Sequence, residues 1–362
     1  MRSIKAAFLA TTFLASTISL ASADVRVVAS IKPVHSLVSA VMQGIGKPVL
    51  LVEGAGSPHT YSLRPSQAKE LQAADIVFWM SHDLEAFLEN SIKNIAKDAR
   101  SVPLMDSHGL RKLKFRDGGA FDAHDHGHED HDKHEGHDKH EGHDKHEDHD
   151  EHEDHDEHEG HDKHEGHDKH EDHDKHEDHD KHEDHDDHGH NEVDPHLWLD
   201  PQNAKSLVHE IEEHLAEIDS QNAKKYSANA SILVKKLDHL TQVINDELKP
   251  VRGRPYVVFH DAYQYFEQRF GVSAIGSITV SPEVMPGAER IAELREKVKS
   301  LSATCVFSEP QFEPKLVATV IENTNAGSGV LDPLGSSIKD GPELYFTLIR
   351  NMAKSLKDCL LK

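Results

Sequence analysis

Apolar and polar positions along this chain follow two periods, and their succession outlines the fold. Short apolar runs bounded by Gly or Pro read as buried strands, and apolar residues recurring every third or fourth position read as helices. Residues 25–31 predict a strand, 33–41 a helix opened by Pro33 and stopped at Gly44 and Gly46, and 48–52 a second strand. A helix over 65–74 leads into a strand over 76–80. After a long polar interruption, 200–218 is helical, and 222–248 is an unbroken helical pattern with Ile232, Leu233, Leu237, Leu240, Val243 and Ile244 as apolar positions. Pro250, Gly253 and Pro255 end it. Strands are then expected over 256–260, 273–278, 304–307 and near Val330, alternating with helices over 262–270, 288–301, 314–323 and from Glu343 onward.

This succession predicts an α/β fold of two β/α lobes joined by one long helix. The boundaries are an N-terminal lobe over 24–218, a linker helix over 219–249 and a C-terminal lobe over 250–362. Parallel sheets bind ligands at the carboxyl ends of their strands, so two such lobes facing each other make a cleft.

The polar interruption, read as a loop over 118–192 in the N-terminal lobe, changes the picture. From His128 to His188 every third residue is histidine, and 24 of the 33 histidines lie between His124 and His190. Residues 122–192 hold 32 Asp or Glu against 7 Lys, a net of −25, which is the charge of the whole chain. The rest is balanced, which excludes a nucleic-acid binder. With almost no apolar residues the insert cannot offset its chain entropy, and a period of three drifts about 60° per step around an α-helix. It is expected to be a disordered loop. Dense imidazole with carboxylate points to low-affinity, multi-site capture of a transition metal; a tandem-repeat expansion with little function is the plainer alternative.

Arg2 and Lys5, an apolar run over 6–20 and Ala21-Ser22-Ala23 make a secretory leader over 1–23, cleaved after Ala23. Export makes one disulfide the default for the two cysteines, Cys305 and Cys359, with a pair of metal thiolates as the alternative.

Nine histidines lie outside the insert. His59 falls between a strand and a helix, His196 precedes a helix directly after the insert, and His260 ends the strand YVVFH. All three occupy junctions where sites in α/β proteins sit. His35 opens a helix, His82 and His108 lie in loops, and His209, His214 and His239 fall on polar helical faces.

Around these junctions the stretches HTYSLRPS, HLWLDP, VFHDAYQYFE, SPEVMPGAERIAELR, CVFSEPQF and LDPLG resemble the zinc members of the metal-binding family of ABC-transporter solute receptors. The likeness spans essentially the whole mature chain. It implies two pseudo-symmetric α/β lobes, a rigid linking helix and a metal held between the lobes, in a periplasmic monomer. By position His59 and His196 would supply two nitrogens, His260 a third from the other lobe, and Asp332 an oxygen at or close to the metal. It also implies a Cys305–Cys359 disulfide. Manganese members usually carry a carboxylate where His260 stands, and a third imidazole suits four-coordinate zinc better. Some zinc members have a glutamate immediately before the first histidine, where this chain has Pro58. The implied partners are Zn²⁺, an inner-membrane permease and its cytoplasmic ATPase. A metal buffer acting through the insert, or a manganese or nickel receptor, is the alternative.

An enzyme is disfavoured. No H-E-x-x-H, G-x-S-x-G, P-loop or G-x-G-x-x-G signature occurs. Asp261 and Glu267, near His260, are expected to support the site or to lie on the surface.

Overall fold

The computed structural model describes residues 25–116, 121, 193–279, 287–300, 302–312 and 315–362. The expected leader over 1–23 and the histidine-rich loop over 118–192, Phe121 apart, lie outside the described residues.

Two four-stranded, all-parallel sheets carry the chain. The first holds β1 (Val27–Ala29), β2 (Val49–Leu50), β3 (Ile76–Trp79) and β4 (Arg100–Pro103) in the order β2-β1-β3-β4. The second holds β5 (Tyr256–His260), β6 (Ala274–Thr279), β7 (Cys305–Ser308) and β8 (Gly327–Val330) in the order β6-β5-β7-β8. Renumbered from its own first strand, the second order repeats the first, which is the pseudo-symmetry of the two lobes.

Central strands of such sheets are covered on both faces and so read as continuous apolar runs. β3 (IVFW) and β5 (YVVFH) are buried at every position. Their period of two sorts side chains between layers. Val28, Val77 and Trp79 face α2 (Pro65–Gln72) and α3 (Ala86–Ile95), whereas Val27, Ala29, Ile76 and Phe78 join the large core. In the second sheet Val257, Phe259 and Val306 meet Leu294 and Val298 of α7 (Ala288–Ser300) and Val317 and Val320 of α8 (Lys315–Ile321). The large core is shared: α1 (Lys32–Val41), α4 (Pro201–Ile218), α5 (Ala223–Leu248) and α9 (Leu344–Leu360) all contribute to it.

The long helix is α5, 26 residues and therefore about 39 Å. Its buried stripe runs Tyr226, Ala230, Leu233, Leu237, Leu240, Ile244 and Leu248. Ile232 and Val243, expected on that stripe, are exposed (56% and 38%) because each sits one residue, about 100°, away from a stripe position. The apolar pattern predicts neither α3 nor β4. β4 (RSVP) is an edge strand with one fully buried residue and a terminal proline, so its pattern is weak.

Asp200 caps α4 by accepting from the Gln202 amide at 2.8 Å, with Pro201 in the first turn. Cys305 and Cys359 form a disulfide that fastens α9 to β7, with a Cα–Cα distance of 6.1 Å. No helix among the described residues is long and apolar enough to cross a membrane.

Candidate metal centre

Each of the three junction histidines sits where a parallel strand has just ended, or where a helix is about to begin. His59 lies between β2 and α2, His260 is the last residue of β5, and His196 precedes a 3-10 turn (Leu197–Leu199) that runs into α4. The fold brings them together: one ligating atom from each lies within 4.8 Å of the other two. The ring centroids are 5.5 Å apart for His59–His196, 6.0 Å for His59–His260 and 5.2 Å for His196–His260. His196 and His260 are buried, and His59 is half-buried.

Two carboxylates fix which nitrogens face inward. Asp194 Oδ1 accepts from His196 Nδ1 at 2.7 Å, and Glu309 Oε1 accepts from His260 Nδ1 at 2.6 Å. With both Nδ1 atoms bearing protons toward buried acids, both Nε2 atoms present lone pairs to the centre. Those two atoms stand 3.4 Å apart. Two acceptors at that separation repel unless a cation or a proton lies between them. Nitrogens bound to one tetrahedral zinc at about 2.05 Å stand about 3.3 Å apart, so the spacing fits.

Electrostatics separate His59 from His260. Burial and the neighbouring His196 and His260 hold His59 well below the ordinary histidine value of 6.5. Burial also opposes the charged form of His260, but Glu309, Asp261 and Asp194 outweigh it and raise that ring above 6.5. Burial pushes Asp194 up to about 6, against hydrogen bonds from the His196 amide and Gln264. The space among the rings, walled by Pro58, Trp198, Phe312, Pro333 and Leu334, is about 10 Å³, room for one ion or one water.

Asp332, the fourth position that the resemblance implies, is not part of the three-histidine group. Its neighbours Pro333 and Leu334 line the chamber. Its own carboxylate accepts from the amides of Leu334, Gly335 and Ser336, from Ser336 Oγ and from Gln311 Nε2, at 2.7–3.2 Å. To reach a metal it would have to give up part of that set.

Sequence reasoning assigned no role to Asp194 or Glu309. Asp194 stands two residues before His196, and Glu309 directly follows β7 at the carboxyl edge of the second sheet. That position is the signal that could have found it. Asp261 and Glu267 are buried, which removes the surface alternative: both pair with Arg116, because an ionised acid inside the fold needs a cation beside it. His35 is also buried and bonds the Pro48 carbonyl at 3.1 Å, joining α1 to the approach of β2 away from the centre.

The sequence profile described as "ZnuA: Zinc-uptake complex component A periplasmic" matches residues 27–359. The chain is 54% identical over 364 residues to the "High-affinity zinc uptake system protein ZnuA" of Brucella suis, covering all of both chains. It is 34% identical to the protein of the same description from Yersinia pestis, over 99% of this chain and 98% of that one. Among solved structures, one described as "Crystal structure of ZnuA" aligns with TM-score 0.65 and 19% identity over 93% of this chain and 99% of the other. The laminin-binding protein of Streptococcus agalactiae aligns with TM-score 0.64 over the same shares at 19% identity, a likeness of fold.

Proposed function

The chain belongs to the ZnuA family of periplasmic zinc-uptake components, and from that premise we propose that it is the zinc receptor of an ABC importer. Exported to the periplasm by the leader over 1–23, it captures Zn²⁺ between its lobes. It then delivers the ion to an inner-membrane permease driven by a cytoplasmic ATPase. His59, His196 and His260 hold the ion through ring nitrogens. Asp332 or a water completes a four-coordinate shell, and Asp332 does so only by releasing some of its backbone donors. The observation that carries this reading is the pair of Nε2 atoms, 3.4 Å apart, each on a ring whose Nδ1 faces a buried acid.

Binding without turnover is the reading that the site's own bonding supports. A hydrolytic zinc site needs room for a substrate carbonyl beside the metal-bound water and a free general base. Glu309, the acid directly after β7, is committed to His260, which supports a binder over a hydrolase.

Zinc titration of three chains tests the reading: the full chain, a chain lacking 122–192, and His260→Ala. One tight site should survive loss of the insert and vanish with His260→Ala. If all tight binding leaves with the insert, the protein is a metal buffer and the reading is wrong.

A further inference from the structure

The residues flanking the insert are built into the metal centre. Lys114 on the incoming side pairs antiparallel with Val193 on the outgoing side, next to Asp194, which holds His196. Two residues beyond Lys114, the Arg116 guanidinium reaches Asp261 and Glu267, with Nε 3.0 Å from both Asp261 oxygens and Nη1 2.6 Å from Glu267 Oε2. Both acids are buried, and Asp261 follows His260 directly. The Phe121 ring covers the guanidinium at 4.0 Å.

These contacts close a ring: His196, Asp194, Val193, Lys114, Arg116, Asp261, His260. Gln264 cross-braces it, donating to the Lys114 carbonyl at 2.9 Å and to Asp194 Oδ2 at 2.7 Å. We propose that Arg116 is a positioning residue for the zinc site, fixing His260 of one lobe against His196 of the other through its fork to Asp261 and Glu267. The inference rests on the reading of the three histidines as the zinc site.

The guanidinium suits this task because a planar fork can meet two carboxylates at once, whereas an ammonium is a point charge. A site that must hold nitrogens at metal distance tolerates only about 0.5 Å of drift. Other ties keep α6 (Gln264–Phe270) docked without Arg116. Arg269 pairs with both Asp200 oxygens at 2.6 and 2.7 Å, and Tyr265 Oη donates to the Asp194 carbonyl at 2.9 Å. Loss of the fork therefore shifts the histidines rather than unfolding the chain.

The test uses the full chain with Arg116→Lys, and with the triple change Arg116→Met, Asp261→Asn, Glu267→Gln, which leaves no buried acid without its cation. Three readouts are taken: the rate at which zinc passes to a chelator, the visible spectrum with one equivalent of Co²⁺, and the unfolding midpoint of the metal-free protein. His260→Ala defines what the insert contributes. Both variants should unfold near the wild-type midpoint, release zinc about tenfold faster and show an altered Co²⁺ spectrum, a loss at the low end for groups supporting metal ligands. An unchanged rate and spectrum in either folded variant would overturn the inference. A tight site that persists in His260→Ala would instead overturn the assignment of the site.

Discussion

Replacing Glu309 tests whether the acid behind a histidine sets zinc affinity. Glu309 accepts from His260 Nδ1 at 2.6 Å with both groups buried, so the bond is charge-assisted and poorly screened. Acids that hold metal-ligating histidines typically contribute 10–100-fold to affinity, about 1.4–2.7 kcal/mol. Glu309→Gln keeps an acceptor oxygen and loses the charge, so the expected loss is about tenfold. Glu309→Leu also leaves the Nδ1 proton without an acceptor, and about 100-fold is expected. Competition against a chromophoric chelator measures both, with His260→Ala subtracting the insert. The pH dependence gives a sharper check. Glu309 is the strongest of the charges that lift His260 above 6.5 against burial, so in the native chain a proton competes with zinc from above that pH downward. Without that charge the ring binds protons less well, and acid loss of affinity begins at a lower pH. The deficit of Glu309→Gln should therefore be largest near pH 8 and shrink toward pH 5.5. No deficit at pH 8 in a folded variant would refute the role of Glu309, and a deficit independent of pH would refute its electrostatic origin.

Three further outcomes are expected. Burial raises Glu85, whose Oε2 accepts from the Met80 and Ser81 amides, to about 7. A folded pKa above the unfolded value of 4.5 means the stabilisation is complete below pH 4.5 and gone above about pH 7, a change on the order of 3 kcal/mol; denaturant unfolding should show a smaller fall between pH 5 and 8 in Glu85→Gln than in the native chain. Reducing the Cys305–Cys359 bridge frees a 54-residue separation worth about 4 kcal/mol, so the metal-free midpoint should drop by about 10 °C in calorimetry while one tight zinc site remains. Trp198 Nε1 donates to the Pro333 carbonyl at 2.9 Å, so Trp198→Phe leaves that buried acceptor unmet, costs about 1–3 kcal/mol in the melt and should speed zinc release by loosening the Pro333–Leu334 wall.

The sequence made legible what depends on local pattern. The YVVFH strand ends at His260 as read, and the helix expected over 222–248 is observed from Ala223 to Leu248, because buried runs and one long apolar stripe leave little ambiguity. Its face was less legible: Ile232 and Val243 are apolar yet exposed, since period alone does not say which neighbouring apolar residue points inward. Pattern alone placed the three histidines at junctions, and only the family resemblance set them around one metal, because separations of 137 and 64 residues are closed by the sheets and not by the local chain. The strand-end position of Glu309 was legible, but its partner, like that of Arg116, was not: they act on residues 49 and 145 positions away. Asp332 shows the converse. Its motif is plain in LDPLG, while the five donors on its carboxylate belong to a turn whose geometry no motif displays.

The centre's charge and ligand set together support the proposed cargo. The acids behind two of the imidazoles, Asp194 and Glu309, favour a cation in the centre. Imidazole favours a transition metal over Ca²⁺ or Mg²⁺, which prefer shells of oxygen. Coordination number then separates candidates within that class. An octahedral ion wants about six ligands, and three imidazoles leave it about three short, whereas a tetrahedral ion needs one more atom. The cost of holding two lone pairs face to face falls on the metal-free protein, and it is relieved either by zinc or by a proton on His260. On the proposed reading, the acid behind His260 would both strengthen zinc binding and let a proton compete for the ring, so one side chain would set both effects.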